Sequence, residues 1–259
     1  MENNLPTYLL TNLSAYYLLI TFFMSQILKI SDKAQKIIDS YIKMEIGGKI
    51  IACPYFINIQ KTRAALRVFL GKASAEEIIE EVNFTSHKEH LDLKSLSEKE
   101  IYQFLSEHNL GIDCSGLASH ILQAEYQEKK NLNFLKKIKI ANFWRQPWRY
   151  LTAKLRPIEN ISVRVLADDK NSFLIKDLAE VAPGDMIIRE NLRHVYLITK
   201  IEKENNQIKK ISFVHAPRPE QKNYFGPGIF QKTIEMEINS FEELGRKIND
   251  QIIIKRLNF

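Results

Sequence analysis

The feature that most constrains this chain is a cysteine that the sequence pattern places at the start of a helix. Cys114 lies in the stretch GIDCSGL, residues 111–117, between a helical pattern over residues 97–109 and another that runs to Gln127. Unpaired backbone N–H groups and the positive end of the helix dipole favour thiolate over thiol at such a position. The pattern therefore predicts a nucleophilic cysteine of low pKa. The alternative is a small buried core residue, because free cysteine is among the most buried residue types.

The composition favours one globular domain and excludes several classes of site. The chain has 259 residues, of which 45% are hydrophobic and 26% charged, and no Pro-, Gly- or Ser-rich linker divides it. Two cysteines are too few for a disulfide framework or a cysteine-rich metal site, and no P-loop, dinucleotide fingerprint or zinc-finger spacing occurs. A net charge of +6, spread along the chain, indicates only a mild tendency towards polyanions.

An apolar N-terminal segment over residues 1–30 precedes a single predicted domain over residues 31–259. Residues 3–28 carry no charge, but polar side chains interrupt the apolar run, and the chain begins Met-Glu-Asn-Asn. A spanning helix needs about 20 mostly apolar residues, and a signal peptide needs a positively charged start. We therefore expect a helix packed on the core here. A membrane segment and a signal peptide stay open as alternatives.

Helical patterns dominate the first half of the chain and strand patterns the second. Amphipathic spacing predicts a helix from Ser31 to Ile46 that Gly47-Gly48 ends, and Ser74 caps a second one. Six β-branched runs between turn signals predict strands at residues 163–166, 186–188, 195–201, 211–214, 232–238 and 252–254. Strands this close in sequence pair antiparallel. The predicted fold class is α+β, with a helical first half that carries the nucleophile and packs on an antiparallel sheet.

A basic and aromatic region occupies residues 129–160. Lysines and arginines are interleaved there with Trp144, Trp148 and Tyr150. The favoured interpretation is a surface insertion whose aromatic side chains anchor it to the core. The alternative is a surface that grips nucleic acid or glycan, because basic and aromatic side chains together bind such polymers.

Two histidines are candidates for the base that a thiol nucleophile needs and for the group that orients the base. His194 opens the strand predicted at residues 195–201, and His215 closes the one at residues 211–214. A turn near residues 204–207 would bring these two ends together, so both imidazoles can face one end of the sheet. The other four histidines are interpreted as solvated or packed side chains: His87, His90, His108 and His120.

Five short elements, in order along the chain, resemble the NlpC/P60 family of cysteine peptidases, which has a papain-like α+β fold. The resemblance covers residues 49–60, 111–124 and 181–217. Its elements are Pro54-Tyr55, the nucleophile motif Asp113-Cys114-Ser115-Gly116-Leu117, the turn Pro183-Gly184-Asp185, His194-Val195 and Val214-His215-Ala216. Relative to the family, the chain carries insertions at about residues 61–110 and 129–160.

The resemblance implies a cysteine amidohydrolase. Cys114 would attack an amide carbonyl, His194 would take the thiol proton and return it to the leaving amine, and His215 would hold His194 in its tautomer. Tyr55 and the backbone around Cys114, with Asp113 and Ser115 on either side of it, would line the site, bind substrate and help to stabilise the oxyanion. No metal or cofactor is implied.

The family commonly cleaves amide bonds in peptidoglycan stem peptides, often next to γ-D-glutamate. The resemblance therefore implies a peptide or a peptidoglycan fragment as the substrate, in the bacterial cytoplasm or cell envelope, and does not imply nucleic acid as a partner. Membrane association stays open through the N-terminal segment. The alternative function is a non-catalytic binding or regulatory module on the same fold, which would recognise an envelope polymer or nucleic acid through its basic-aromatic insertion.

The second cysteine suggests a further hypothesis. Cys53 lies two residues before Tyr55, which the resemblance places beside the nucleophile. A disulfide between Cys53 and Cys114 would switch the enzyme off if their geometry allowed it. The favoured alternative is that Cys53 is a packed residue on an extended segment.

Overall fold

The chain is mixed α+β, with helices packed on an antiparallel sheet. The computed structural model describes residues 26–57, 66–140, 144, 146–189, 191–204, 207–217, 228–249 and 251–259. Within these ranges the helices are concentrated before residue 170 and the long strands after it. The α+β class predicted from the sequence is therefore confirmed.

Four longer helices build the first half, and each begins at a side chain that accepts a backbone N–H. The caps are Ser31, Ser74, Ser97 and Asp113, and the second and third form complete capping boxes. These helices are α1 (Asp32–Ile42), α2 (Ala75–Lys88), α3 (Glu98–Glu107) and α4 (Cys114–Lys130). Shorter helices follow as α5 (Phe134–Lys137), α6 (Pro147–Leu155), α7 (Pro157–Asn160), α8 (Val163–Ala167) and α9 (Phe241–Ile248), and 3-10 turns occupy Arg67–Leu70 and Leu178–Glu180.

The main sheet is antiparallel throughout its described pairs. Its strands are β1 (Gln26–Lys29), β4 (Ser172–Leu174), β5 (Met186–Arg189), β6 (Val195–Glu204), β7 (Gln207–His215), β8 (Phe230–Ile238) and β9 (Ile252–Leu257). Their order is β4-β9-β5-β6-β7-β8, and β1 also pairs with β6. A separate hairpin joins β2 (Met44–Ile46) to β3 (Lys49–Ile51). Five of the six strands predicted from the sequence are present.

The predicted first helix ends earlier than its apolar spacing indicated. It stops at Ile42, and Ile46 belongs instead to the hairpin strand β2. Gly47 and Gly48 both have positive φ, at 59° and 77°, which is the backbone of a two-residue hairpin turn. The glycine pair thus turns a hairpin and does not stop a helix.

The prediction of a strand at residues 163–166 is wrong, because these residues form helix α8. The Ser162 side chain accepts the N–H of Val165 and so caps a helical turn. A cap of this kind outweighs the weak strand propensity of two valines, since propensity is easily overridden by local hydrogen bonding.

Each face of the sheet contributes its side chains to a separate hydrophobic cluster. Val195, Leu197 and Val214 join the larger cluster together with the helices and Cys114. Tyr196, Ile198 and Phe213, at alternate positions, join a smaller cluster with Leu244 of α9. Helices α2 and α3, which lie within the segment interpreted as an insertion at residues 61–110, contribute fully buried side chains to the larger cluster.

The end of the N-terminal segment is a strand, and not the expected helix. Residues 26–29 form β1, which pairs with β6 from Lys200 to Lys203. The rest of that prediction, residues 1–25, lies outside the described residues. No helix in the described ranges combines the length and the apolar content that a membrane crossing requires.

The two tryptophans of the basic region do not anchor it to the core. Trp144 is 88% exposed and Trp148 of α6 is 81% exposed, so the favoured interpretation of these tryptophans is wrong. The region is attached to the core through other buried side chains, the aromatic Phe134 and the aliphatic Ala153 and Ile158.

Candidate active site

Backbone segments converge on the start of α4. Ile112 pairs with Tyr55 in a parallel bridge, in which the N–H of Ile112 donates to the Pro54 carbonyl at 3.1 Å. The N–H of Asp113 donates to the Gly71 carbonyl at 2.9 Å. A Cβ on Gly116 would lie 2.6 Å from that same carbonyl, so only glycine fits there. The proline-tyrosine pair and the nucleophile motif of the family resemblance are therefore neighbours in space.

A buried ion pair fixes this helix start. Lys72 and Asp113 are both largely buried, and the Lys72 Nζ lies 2.8 Å from the Asp113 Oδ1. The ammonium also donates to the Ser115 Oγ at 2.6 Å and to the Ile161 carbonyl at 2.8 Å. The same Asp113 oxygen accepts the N–H of Gly116 at 2.6 Å. The Lys72 ammonium thus links three parts of the chain: the N-cap of α4, the second residue of α4 and the segment that follows α7.

The sequence pattern did not identify Lys72. The local signal for it is weak: Lys72 is the single charge in the run from Val68 to Ala75. An isolated lysine between small residues is ordinarily a solvated side chain, and its partner Asp113 is 41 positions away along the chain. The pair became visible only once the fold brought the two segments together.

The side chains of Asp113 and Ser115 hold the start of helix α4. The Ser115 hydroxyl lies 3.0 Å from the Asp113 carboxylate, and both side chains contact Lys72. Tyr55 is partly buried and is fixed by its bridge to Ile112. Because these two side chains are engaged with Lys72, the backbone around Cys114 stays the group expected to stabilise an oxyanion.

Cys114 is a buried thiol at the first position of α4. Burial raises its pKa to about 12, and the neighbouring Asp113 carboxylate acts in the same direction. The backbone N–H of Val195, which donates to the sulfur, and the Lys72 ammonium both lower the pKa, but they do not offset the loss of water. The low pKa expected from the helix start is therefore wrong for this state, because desolvation exceeds the effect of the dipole.

The two candidate histidines meet at one end of the sheet. Strands β6 and β7 pair from Leu197–Val214 to Glu204–Gln207, which brings His194 next to His215 as the hairpin pattern predicted. Their ring centroids are 5.7 Å apart and the rings are nearly perpendicular. Tyr196 contacts both rings, with centroids 4.6 Å from His194 and 4.8 Å from His215, and Phe230 closes the other side of His215 at 4.7 Å. The result is a compact aromatic cluster.

The nucleophile and the histidines pack against opposite faces of the sheet. Cys114 lies in the larger cluster with Val195, whereas the His194 and His215 rings contact Tyr196 of the smaller cluster. The Cys114 sulfur accepts the N–H of Val195, the residue directly after His194. Among the described residues, no hydrogen bond links this sulfur to the His194 ring or links the two imidazoles, and the Nδ1 of His215 is buried without a partner. The bond expected between His194 and His215 is thus replaced by an edge-to-face ring contact.

Both imidazoles are neutral at physiological pH. Burial, the neighbouring His215 and Arg189 lower the pKa of His194 to about 3. Burial and Lys232 lower the pKa of His215 to about 4. At physiological pH the thiol is therefore protonated and both imidazoles are unprotonated.

These lowered pKa values predict a loss of stability in mild acid. Below about pH 6.5 the unfolded chain binds protons on both imidazoles while the folded chain does not, so the free energy of unfolding falls as the pH drops towards 4. We expect a loss of about 2 kcal/mol per imidazole between pH 7 and pH 5. Urea unfolding at the two pH values, for wild type and His194→Gln, measures it.

The matched control for this prediction is His87→Gln, because His87 is exposed. That variant should keep the full pH dependence of the wild type, whereas His194→Gln should lose a substantial part of it. Equal pH dependence in all three proteins would contradict the burial of His194.

The remaining histidines are placed as the sequence indicated, with one exception. His87 and His90 are exposed, and the His120 ring packs in the core, where its Nε2 lies 3.0 Å from the Lys72 carbonyl. His108 is the exception, because it is partly buried against Phe104 and lies 3.3 Å from the Glu89 carboxylate.

Cys53 is a packed residue with its own partners. Its N–H donates to the Tyr41 carbonyl at 2.8 Å, its carbonyl accepts the N–H of Ile229, and its thiol points at the Pro54 carbonyl. Burial raises its pKa well above the usual range. Both cysteines are free thiols in the structure, so the disulfide hypothesis gains no support from it.

Comparison with known proteins adds no relative to this picture: no family model, no curated protein and no solved structure matches the chain.

Proposed function

We propose that the chain is a cysteine amidohydrolase of papain-like fold, in which Cys114 is the nucleophile and His194 the base. The observation that carries the proposal is the position of Cys114 at the N-terminus of α4, with its sulfur on the backbone N–H of Val195, the residue that follows His194 in the chain. Amide hydrolysis by a thiol also requires a base and a group that orients it, and we assign these roles to His194 and His215, whose rings contact each other at this end of the sheet.

The proposed chemistry begins from a neutral thiol and a neutral imidazole. Because the pKa of Cys114 is raised to about 12, a free thiolate is scarce, and proton transfer to His194 would accompany attack on the carbonyl carbon. The developing oxyanion would be stabilised by N–H groups at the α4 N-terminus. The His194 imidazolium would then return the proton to the leaving amine, and water would hydrolyse the thioester. His215 would hold His194 in its tautomer, the role that the resemblance implies.

Incubation of the full chain with defined peptidoglycan stem peptides tests the proposal. Mass spectrometry of the products should show cleavage of a single amide bond. The resemblance points to the bond next to γ-D-glutamate as the first one to assay. Peptides that stay intact across the stem-peptide set would contradict the proposed substrate class.

The two histidines should differ in the size of their effects. His194→Ala removes the group that takes and returns the proton, whereas His215→Ala removes a group that acts on His194. We expect a loss in kcat of roughly 10³-fold or more for the first and a clearly smaller loss for the second. Steady-state kinetics on one cleaved peptide measures both, and a larger loss in His215→Ala would reverse the two roles.

A second candidate function is a binding module on the same fold. It is favoured by one observation: the tryptophans of the basic region are exposed, as a recognition surface would require. The two functions differ in their dependence on the thiol. A binding module would keep its ligand affinity in Cys114→Ala, whereas the hydrolase would lose its activity.

A further inference from the structure

Helix α6 exposes a continuous apolar face. Trp148, Leu151 and Leu155 are spaced by three and four residues, which puts them on one side of the helix, while Ala153 on the opposite side is buried. The exposed fractions are 81% for Trp148, 45% for Leu151 and 82% for Leu155. Helices of soluble domains usually turn their apolar face towards the core. Helix α6 instead turns its apolar face towards solvent.

Positive charge predominates in the segment around this face, where Glu159 pairs with Arg156. From residue 129 to residue 158 the sequence contains nine basic residues and no aspartate or glutamate: Lys129, Lys130, Lys136, Lys137, Lys139, Arg145, Arg149, Lys154 and Arg156. Within the described residues, no carboxylate pairs with Lys136, Lys137, Lys139 or Lys154, and all four are exposed. The charge is therefore available to an anionic partner.

We propose that α6 docks on an anionic lipid bilayer. A tryptophan and two leucines on one face, with lysine and arginine around them, are the side chains that insert into the boundary between headgroups and acyl chains. The basic residues would contact the lipid phosphates at the same time. A nucleic acid would use the charges and the tryptophan, but it offers no apolar phase for Leu151 and Leu155, so the leucines favour the bilayer.

This surface is connected to the start of α4. Helix α6 leads directly into α7, and the chain then reaches Ile161, whose carbonyl accepts from Lys72. Helix α7 also packs on α4. Docking of α6 would therefore hold the end of α4 that carries Cys114 near the bilayer. The proposal itself does not depend on the catalytic function of that cysteine.

The protein contains its own reporter for the test. Its two tryptophans are Trp144 and Trp148, both of them in the exposed region, so intrinsic fluorescence reports on this surface alone. We would titrate the full chain with phosphatidylcholine vesicles in which phosphatidylglycerol is either absent or roughly a third of the lipid. A blue shift with the anionic vesicles, weakened by high salt, is the expected result.

Two variants assign the effect to the α6 face. Leu151→Ser with Leu155→Ser should weaken partition into anionic vesicles by roughly tenfold or more. Phe84→Ser is the matched control, because Phe84 is 64% exposed on α2, and it should bind as the wild type does. Since all three side chains are exposed, thermal unfolding should be unchanged in both proteins.

Several outcomes would overturn the proposal. One is an emission spectrum that anionic vesicles leave unchanged, and another is equal binding by the double leucine variant. A spectrum that is already blue-shifted and protected from acrylamide in the free protein would mean that another segment or a second copy covers the face. A shift with single-stranded oligonucleotide and none with vesicles would assign the surface to nucleic acid.

Discussion

Replacing Cys114 with alanine should reduce amide hydrolysis by at least roughly 10⁴-fold while leaving the fold intact. The thiol supplies the bond-forming atom of the proposed reaction, and no other side chain at the start of α4 can replace it, because Asp113 and Ser115 are held by Lys72. The loss should appear in kcat with little change in substrate affinity. Cleavage of a defined stem peptide, followed by mass spectrometry, measures it, and circular dichroism checks the fold.

The control for this prediction is a double variant. Cys114→Ala combined with His194→Ala should be little worse than Cys114→Ala alone, because residues that act as a unit in one step have non-additive effects. Cys53→Ala should keep its activity, since the Cys53 thiol is engaged with the Pro54 carbonyl. Full hydrolysis by Cys114→Ala would refute the hydrolase and leave the binding module.

Lys72→Met should destabilise the fold by about 3–5 kcal/mol, the usual cost of leaving one partner of a buried ion pair without the other. Asp113 would then be buried without its cation, and the Ser115 hydroxyl and the Ile161 carbonyl would each lose a donor. Because Asp113 caps α4, the damage should begin at the start of this helix. The free energy of unfolding in urea measures the effect.

A second substitution separates the charge from the packing. Lys72→Met with Asp113→Asn should be more stable than Lys72→Met alone, because the buried charge is gone and asparagine still caps the helix. Lys94→Met is the control for loss of a lysine, since Lys94 is exposed, and it should unfold as the wild type does. Identical stability of Lys72→Met and Lys94→Met would contradict the buried pair.

The parts of the fold that local chemistry specifies could be predicted from the sequence. Ser74 and Ser97 each have a glutamate three residues later, and both begin helices where the capping pattern placed them. The hairpin of β6 and β7 followed from two β-branched runs with a short gap, and it correctly predicted that His194 and His215 meet. In these cases the determining contacts lie within a few residues.

The parts that depend on distant segments could not be predicted. The Lys72–Asp113 pair joins positions far apart in the sequence, and the raised pKa of Cys114 results from burial by the whole core rather than from its place on the helix. Gly47-Gly48 shows a different failure, because the same two residues can end a helix or turn a hairpin, and strand pairing with β3 decided between them.

Strand β6 is the one strand of the sheet on which three others are described as pairing. Strand β7 lies along one edge from Leu197 to Glu204, so β5 and β1 share the other edge, end to end. The few residues of β1 therefore shield the backbone from Lys200 to Lys203, which would otherwise be an open template for another chain. A variant that lacks residues 1–30, and so begins at the domain boundary that composition indicates, would lose strand β1. The exposed edge of β6 should then give this variant a tendency to aggregate through its sheet.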